Sequence, residues 1–495
     1  MPTVPLPNNP SVEQLRTQAK AVRDLAGAGV QGALDLVGAH HPDGPHAVTL
    51  TGAQLVVARH YGFSSWARLT RHVEMIERYR RDPDEVEDAS DPVDAFLALA
   101  CLRYGDDDPS RWSRAAAILD AHPAARAHPL VAAAACDVEA LGAALATDAT
   151  AAVREGGPYR WPPILYLTYA RHDPRITDER ALAAARLLLD HGADANSGYL
   201  WHGLYPPFTA LAGALGSGSP EHPEHPCGFA LAWLLLERGA DPNDGQLLYN
   251  RQFSRDDRHL VVLLAAGLGR GDGGPWARRF GHTADTPAEM LRGQLWWAIV
   301  HDWPERARLL VDHGVDIRSP YAAPGGRPFG LRTSDGRTPA EVAALAGCPE
   351  LAAWLVERGA PPPHLEGPDA LIAAALAGDA ARVEDLRRYA AEARERRPGL
   401  IVWAASRRRL GAIPLLVDLG FDVNAYGRSD IPAEQSWETA LHAAAGEGDA
   451  ELAELLLGLG ADPHLEDHRF HSTPLGWARH FAQPATIALL EPLTE

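Results

Sequence analysis

One short phrase returns several times along this chain of 495 residues: a leucine-rich helix end followed by Gly-Ala-Asp or a close variant. The copies lie at 187–194, 234–241, 309–316, 355–360, 416–422 and 455–462. A phrase that recurs at intervals of tens of residues is typical of a stacked repeat protein, because each unit buries its apolar face against its neighbours. The sequence therefore predicts an array of similar units rather than one compact core.

The interval inside one unit is constant. Thr439 opens a unit, and Gly460 ends the second helix of that unit 21 residues later; the same 21 residues separate Thr338 from Gly359. Glycine suits the end of a helix because it adopts the left-handed backbone conformation of a C-cap at little steric cost. The spacing therefore predicts two short helices in each unit, the second closed by glycine.

A unit of this length and opening resembles the ankyrin repeat, in which two antiparallel helices follow a turn and begin at Thr-Pro-Leu-His or a similar sequence. The matching openings lie at 338–341, 439–442 and 473–476. The resemblance, which extends to bacterial proteins of the actinobacterial type, implies an all-α solenoid of irregular helix-turn-helix repeats over 93–492. It also implies degenerate units at 93–158 and 247–282, a C-terminal cap at 473–492, and a structural role for His442.

The first 80 residues follow a different pattern. Ser11-Val-Glu-Gln and Thr51-Gly-Ala-Gln fit capping boxes, in which a side chain and the backbone at a helix start satisfy each other's hydrogen bonds. An apolar face at steps of three and four residues follows over 66–76. We predict a small helical subdomain over 1–80 and an acidic linker over 81–92 ahead of the repeats.

The formal net charge of −19 constrains the partners of this chain. A strongly acidic body repels phosphates, so nucleic acid and anionic membranes are disfavoured, whereas basic or neutral partners are favoured. The four cysteines, Cys101, Cys136, Cys227 and Cys348, are widely spaced and form neither a disulfide framework nor a zinc pattern. With no signal peptide at the N-terminus and no apolar run that could span a bilayer, we expect a cytoplasmic protein.

Long insertions between the units carry many aromatic and histidine side chains. The insertions lie at 197–207, 216–228, 268–287, 318–337 and 425–437. The candidate binding residues are Tyr199, Trp201, His202, Tyr205, Trp276, Phe280, His282, Tyr321, Phe329, Tyr426 and Trp437. Because insertions in an ankyrin array fall on one face, the resemblance implies a concave, aromatic-lined groove that holds a protein or peptide partner. The alternative is that each ring packs its own loop onto the array.

A biosynthetic enzyme is the second hypothesis for this chain. Insertions of this length could close over the groove and form a small-molecule pocket for acid–base or cyclisation chemistry. The candidate catalytic residues of that pocket are His202, Tyr205, His282, Asp430 and Glu434. No nucleophile elbow is present, so a scaffold without catalysis is favoured.

Two short motifs are weak candidates for a metal or phosphate site. His222-Pro-Glu-His225-Pro-Cys227 offers two imidazoles and a thiol, but a zinc site needs a fourth ligand and a second ligand pair. The glycine-rich stretch 267–274 follows a helix pattern rather than a strand, and it lacks the Lys-Ser/Thr end of a phosphate loop. We therefore predict neither a metal site nor a cofactor.

A third hypothesis treats the N-terminal helices as the working module and the array as its sensor. Residues 1–80 carry 8 basic and 6 acidic side chains, so their net charge is opposite to that of the remaining chain. Attraction between the two parts would weaken with increasing salt.

Overall fold

The computed structural model describes residues 4–7, 9–44, 48–87, 89–281, 285–321, 336–431 and 434–494. These residues are mostly α-helical and include three short strands, which confirms the predicted predominance of helix. The candidate site residues His282 and Phe329 lie outside the described residues. None of the described helices combines the length and the apolar character that crossing a membrane requires. The chain divides into two compact units, the first ending at Met290 and the second beginning at Leu291.

The described helices of the first unit are α1 (Val12–Gly27), α2 (Gln31–His40), α3 (Leu50–His60), α4 (Trp66–Tyr79), α5 (Pro92–Ala100), α6 (Pro109–Ala121), α7 (Pro129–Ala134), α8 (Val138–Thr147), α9 (Pro163–Tyr169), α10 (Asp178–Asp190), α11 (Ala210–Leu215), α12 (Gly228–Glu237), α13 (Gly245–Arg251), α14 (Arg258–Ala265) and α15 (Gly274–Phe280). Its strands are β1 (Arg80–Arg81), β2 (Gly198–Trp201) and β3 (Phe208–Thr209).

Helix α16 (Pro287–Val300) begins just before the boundary between the units. The described helices that follow it are α17 (Pro304–Asp312), α18 (Pro339–Leu345), α19 (Pro349–Glu357), α20 (Gly367–Leu376), α21 (Ala380–Leu386), α22 (Ala390–Arg396), α23 (Leu400–Ser406), α24 (Ala412–Asp418), α25 (Ala440–Glu447), α26 (Ala450–Gly458), α27 (Pro474–His480) and α28 (Pro484–Thr494).

Hydroxyl side chains cap the N-termini of helices α1 and α3. Ser11 caps α1, since its hydroxyl accepts the N–H of Gln14 at 3.1 Å, which is one of the two bonds of the predicted capping box. The predicted cap at Thr51 is wrong, because α3 begins two residues earlier. Thr49 has an extended backbone and its hydroxyl accepts the N–H of Gly52 at 3.1 Å, which satisfies one of the free donors at the helix start.

Each copy of the repeated phrase ends in the same hydrogen-bonded turn. Its glycine has a positive φ, +93° at Gly192 and +96° at Gly460, and the next residue donates its N–H to the carbonyl five residues earlier. These bonds join Ala193 to Leu188, Ala240 to Leu235, Val315 to Leu310, Ala360 to Leu355, Phe421 to Leu416 and Ala461 to Leu456. Leu268 donates to Leu263 in the same way, so the glycine-rich stretch 267–274 begins as a further copy of this turn.

The aspartate of the phrase closes a second small turn, because its carboxylate accepts the N–H two residues further on. These bonds run from Asn196 to Asp194, Asn243 to Asp241, Arg318 to Asp316, Asn424 to Asp422 and His464 to Asp462. An asparagine at this position also bridges to the next copy. Asn424 donates to the carbonyl of Gly460 at 3.2 Å and accepts the N–H of Asp462 at 2.8 Å. Asn196 makes the equivalent bonds to the copy at 234–241.

Successive helix pairs contact one another in series within each unit. In the first unit α7, α9, α11 and α13 contact in order along one row, and α8, α10, α12 and α14 contact along another. In the second unit α23, α25 and α27 form a row, and α26 contacts α28. The predicted unit from Thr439 to Gly460 contains α25 and α26, and Leu456 of α26 is fully buried between them and their neighbours.

A small sheet departs from the helical pattern. Strand β1 pairs in parallel with β2, with Arg80 opposite Leu200, and β2 pairs in antiparallel with β3, with Tyr199 opposite Phe208. The insertion at 197–207 therefore folds as a hairpin, and the chain just before the predicted acidic linker pairs with it. The proposed boundaries at 80 and 92 remain predictions.

Gly458 and Gly460 allow the repeat turn to be tested separately from packing. A Cβ added at either glycine meets no atom within 4 Å, but of the two only Gly460 has a positive φ. Gly460→Ala is expected to lower the free energy of unfolding by about 1–2 kcal/mol, because the left-handed conformation strains an L-residue. Gly458→Ala, at the last residue of α26, should raise it by up to about 0.5–1 kcal/mol, because glycine is a poor helix former. Urea unfolding measures both changes, and equal effects would contradict the assigned turn.

Candidate functional site

Aromatic side chains from two insertions of the first unit meet in a buried cluster. Trp276 and Phe280 of α15 stack with 6.3 Å between ring centroids, and the ring of Tyr205 lies 5.1 Å from Phe280. Leu200 of β2 and side chains of α4 pack against them. Trp276 and Phe280 are 6% and 4% exposed, so both rings face other side chains rather than solvent.

Two other predicted binding rings are buried elsewhere. Tyr199 is 1% exposed and stacks against Trp161 and Phe208 at centroid distances of 4.9 and 5.5 Å. Tyr321, in the second unit, is 3% exposed, and the guanidinium of Arg292 lies 4.6 Å from its ring centroid. Both rings are buried against other side chains of the chain, as the alternative interpretation of these aromatic residues expects.

Trp201 and His202 attach the tip of the first insertion to earlier parts of the chain. The indole N–H of Trp201 donates to the carbonyl of Arg103 at 3.1 Å. The imidazole Nδ1 of His202 lies 2.8 Å from the Asp82 carboxylate, and Nε2 lies 2.9 Å from that of Asp84. The imidazole therefore holds the acidic segment against the insertion.

The described candidates for acid–base chemistry take part in separate structural contacts. His202 is engaged by two carboxylates, and Tyr205 packs in the aromatic cluster, where burial raises the pKa of its hydroxyl. Asp430 accepts from a neighbouring arginine at 2.7 Å, and Glu434 accepts from Nε of Arg397 at 2.8 Å. The geometry inside each unit adds no support to the enzyme hypothesis.

Tyr205 and Trp276 also line a small pocket together with Asp241 and Asp244. Its volume is about 20 Å³, which is room for a water molecule but not for an organic substrate. Burial raises the pKa of Asp244 to about 6, although hydrogen bonds to its carboxylate oppose the shift.

The residues of the histidine–cysteine motif are separately engaged. His225 is fully buried, and its Nδ1 accepts the N–H of Cys227 at 3.0 Å. The thiol of Cys227 donates to a backbone carbonyl at 3.2 Å, and Nε2 of His222 lies 3.6 Å from the Asp107 carboxylate. Within the described ranges, no three His, Cys, Asp or Glu side chains come together as metal ligands.

A cleft in the second unit presents aromatic residues to solvent. Two guanidinium groups contact the indole of Trp437, with Arg428 at 3.7 Å and Arg469 at 4.7 Å from the ring centroid. Phe470, the residue after Arg469, is 63% exposed. The cleft has a volume of about 150 Å³, and its lining residues are Ser429, Asp430, Trp437, Glu438, Asp467, Arg469, Phe470 and Trp477.

Asp467, which is 1% exposed, holds the loop after α26 in shape. Its Oδ1 accepts the N–H groups of Arg469 and Phe470 at 2.8 and 2.6 Å, and its Oδ2 accepts those of Ser472 and the Trp477 indole at 3.0 and 2.9 Å. Burial opposes ionisation of Asp467, but the four donors outweigh burial and hold its pKa below the ordinary value. One carboxylate therefore positions both Arg469 and Phe470 at the cleft.

His442 and Tyr426 connect this loop to the preceding repeat. Nε2 of His442 lies 2.9 Å from the carbonyl of Ser472, and Nδ1 accepts the N–H of Thr439 at 3.3 Å. This confirms the structural role that the family resemblance implies for His442. The predicted binding residue Tyr426 stacks on His468 at 4.0 Å between centroids and so supports the loop.

Glu438 lines the cleft from a buried position. It is 5% exposed, and its Oε1 accepts the N–H of Ser429 at 2.7 Å. Burial raises the pKa of the Glu438 carboxyl. Hydrogen bonding to Ser429 and the charge of Arg428 oppose this rise, whereas the nearby charge of Asp430 adds to it. The pKa values of Glu438 and Asp467 are therefore shifted in opposite directions, although both carboxyl groups line the same cleft.

The sequence argument identified Trp437 but missed Glu438, Arg469 and Phe470. Arg469 and Phe470 follow the last clear repeat phrase, in a loop that the sequence treats as a connection to the cap. Their local signal is the acidic residue Asp467, since an aspartate often accepts N–H groups two and three residues further on. Their approach to Trp437 depends on the packing of two loops and has no local signal.

The comparison with known families gives one match, which includes part of this cleft. A family model of the ankyrin repeat matches residues 437–468. The matched stretch begins at Trp437, contains α25 and α26, and ends one residue before Arg469. Among curated proteins, none matches this chain.

Asp467→Asn tests how far one carboxylate organises the cleft. An amide keeps the shape but offers one acceptor oxygen in place of two, so part of the bonding to the loop is lost. We expect faster hydrogen exchange at the amides of 469–472 and a cost of about 1–3 kcal/mol in local stability. Asp462→Asn, which changes the acceptor for the N–H of His464, is the matched control. Unchanged exchange in Asp467→Asn would contradict this role.

Proposed function

We propose that this chain is a non-catalytic binding scaffold, built as an ankyrin-type array of helix pairs, and that the cleft beside Trp437 holds a segment of a partner protein. Ankyrin repeats generally mediate interactions between proteins, and the family match at 437–468 includes Trp437 itself. The series of contacts between successive helix pairs in each unit supports an array with a capping pair, α27 and α28, at its end.

The single observation that carries the binding role is the exposed ring of Phe470 beside a preorganised indole. Covering a phenylalanine side chain contributes about 1.5–3 kcal/mol. Arginine contacts hold Trp437, and hydrogen bonds to Asp467 hold the backbone of the neighbouring loop. Little conformational freedom is then lost when a partner binds, and aromatic anchors of this kind contribute most of the binding energy in many interfaces.

The net charge of the chain and the state of its cysteines indicate which class of partner and which cellular compartment fit this proposal. The net charge of −19 disfavours nucleic acid and anionic membrane surfaces, so we place a protein segment rather than a phosphate polymer in the cleft. All four cysteines are free and buried, which supports a reducing compartment such as the cytoplasm.

A displayed random-peptide library, selected on the immobilised full-length chain, tests the proposal. We expect enriched peptides to be retained about tenfold less, or weaker still, by Phe470→Ala and Trp437→Ala, since each variant removes an aromatic anchor. Amounts of peptide bound to each variant are compared after elution.

Trp233→Ala is the matched control, because Trp233 is a 42% exposed aromatic residue of α12 in the first unit. It should bind the enriched peptides as the unaltered chain does. Peptides that bind equally to the unaltered chain and to Phe470→Ala would disprove the assignment of the site to this cleft.

A further inference from the structure

The cleft contains a buried carboxylate that forms no ion pair with the described residues, although the charge of Arg428 acts on it from further away. Glu438 is 5% exposed, and no described arginine, lysine or histidine nitrogen lies within 4.0 Å of its oxygens. The nearby Arg428 pairs with Asp430 and donates to Gln435. A buried negative charge without a counter-ion is costly, and a cation brought by a partner would offset that cost.

The walls of the cleft suit a flat cation. Trp437, Phe470 and Trp477 line it. Phe470 and Trp477 meet edge-on, with 6.5 Å between their centroids and 62° between their planes, so a cation can stack on one exposed ring but not between the two. A volume of about 150 Å³ accommodates one planar head group of roughly the size of benzene, but not a whole peptide. Guanidinium groups stack readily on aromatic faces, because the face of the ring is negative and the cation is weakly hydrated.

The same pairing already occurs inside this chain. Arg407 lies 4.1 Å from the ring centroid of Trp403, and Arg358 lies 4.9 Å from that of Trp354. No such cation–ring contact is found for Trp477 among the described residues. The ring of Trp477 instead lies against His442, Phe470 and Phe481, at centroid distances of 5.5, 6.5 and 6.1 Å.

The charge of the surrounding sequence favours the approach of a basic segment. Residues 425–495 carry 12 acidic side chains and 3 arginines. An excess of negative charge around a cleft attracts cationic groups and raises their rate of association. Arg428 and Arg469, which contact Trp437, are the charges at the cleft that act against such a partner, and Arg469 also lies 4.9 Å from the ring centroid of Phe470.

We infer that the cleft receives an arginine side chain of a basic partner segment, with Glu438 as a counter-charge and the exposed ring of Phe470 as the stacking surface. The inference rests on the proposed binding function and adds the chemistry of the partner. The segment continues over the exposed ring of Phe470, and its other residues determine how tightly it binds.

Peptides enriched on the full-length chain provide the probe. Each is resynthesised with arginine replaced by citrulline, which has the same shape without the charge, or by lysine. We expect citrulline to weaken binding about tenfold or more, since it removes a charged hydrogen bond. Lysine should bind with intermediate affinity, because its ammonium lacks the planar stacking surface. Fluorescence polarisation of labelled peptides measures all three.

Variants of the chain assign the effect to the cleft. Glu438→Gln should weaken the arginine peptide about tenfold and leave the citrulline peptide unchanged. Glu447→Gln makes the same change of charge at an exposed position at the end of α25, and it should change neither. Arg469→Gln removes a like charge from the cleft but also one guanidinium contact to Trp437, so it should weaken the arginine peptide less than Glu438→Gln does.

Three results separate the inference from the proposed function. Enriched peptides that need Phe470 but bind equally well with citrulline would overturn the inference and leave the binding function standing. Binding that is lost in Arg469→Gln but kept in Glu438→Gln would also overturn the inference, because the partner would then supply a carboxylate rather than an arginine. Enrichment that is independent of Phe470 and Trp437 would overturn the proposed function itself. The comparison of arginine and citrulline peptides uses the unaltered chain, so it tests the inference even where a variant folds poorly.

Discussion

The hydrogen bond from the residue after each repeat glycine to a leucine carbonyl is the constraint on which the rest of the structure depends. In the last clear copy, Ala461 donates to Leu456, whose side chain is fully buried. The residue that receives the bond is therefore also a core residue, so the end of the helix and the packing of the helix pair are set together. Asn424 then bridges from one copy to the backbone of the next. Because each copy closes its turn locally, the chain between copies can lengthen without disturbing the helix pairs.

The aromatic rings that follow the helix pairs lie in different environments, some buried and some exposed. In the first unit, the rings of Trp276 and Phe280 are covered by apolar side chains, and covering them contributes about 1.5–3 kcal/mol each. In the second unit, arginine stems and guanidinium groups contact Trp437 and leave Phe470 exposed. An arginine can cover a ring while its charge stays in water, so this arrangement keeps an aromatic surface accessible.

Two carboxyl groups of the cleft show that burial alone does not determine the pKa of such a group. Asp467 accepts four hydrogen bonds and its pKa is lowered, whereas the pKa of Glu438 is raised by burial against the opposing hydrogen bond from Ser429. The first carboxylate organises the loop that carries Arg469 and Phe470. The second forms no ion pair with the described residues, and the proposed arginine-binding role of the cleft rests on this difference.

The sequence by itself determined the repeated turns, the short helix pairs and the acidic character of the chain. These features depend on residues a few positions apart, such as Gly460 and Leu456, or on composition, so they can be predicted without knowing the tertiary structure. The hairpin at 197–207 could not be predicted, because β2 pairs with Arg80, which is far away along the chain. Only the tertiary structure decided which predicted aromatic rings are covered and which face solvent. The environment of a ring is set by distant elements, α4 for Trp276 and the loop after α26 for Trp437, and no local pattern records which surface will reach it.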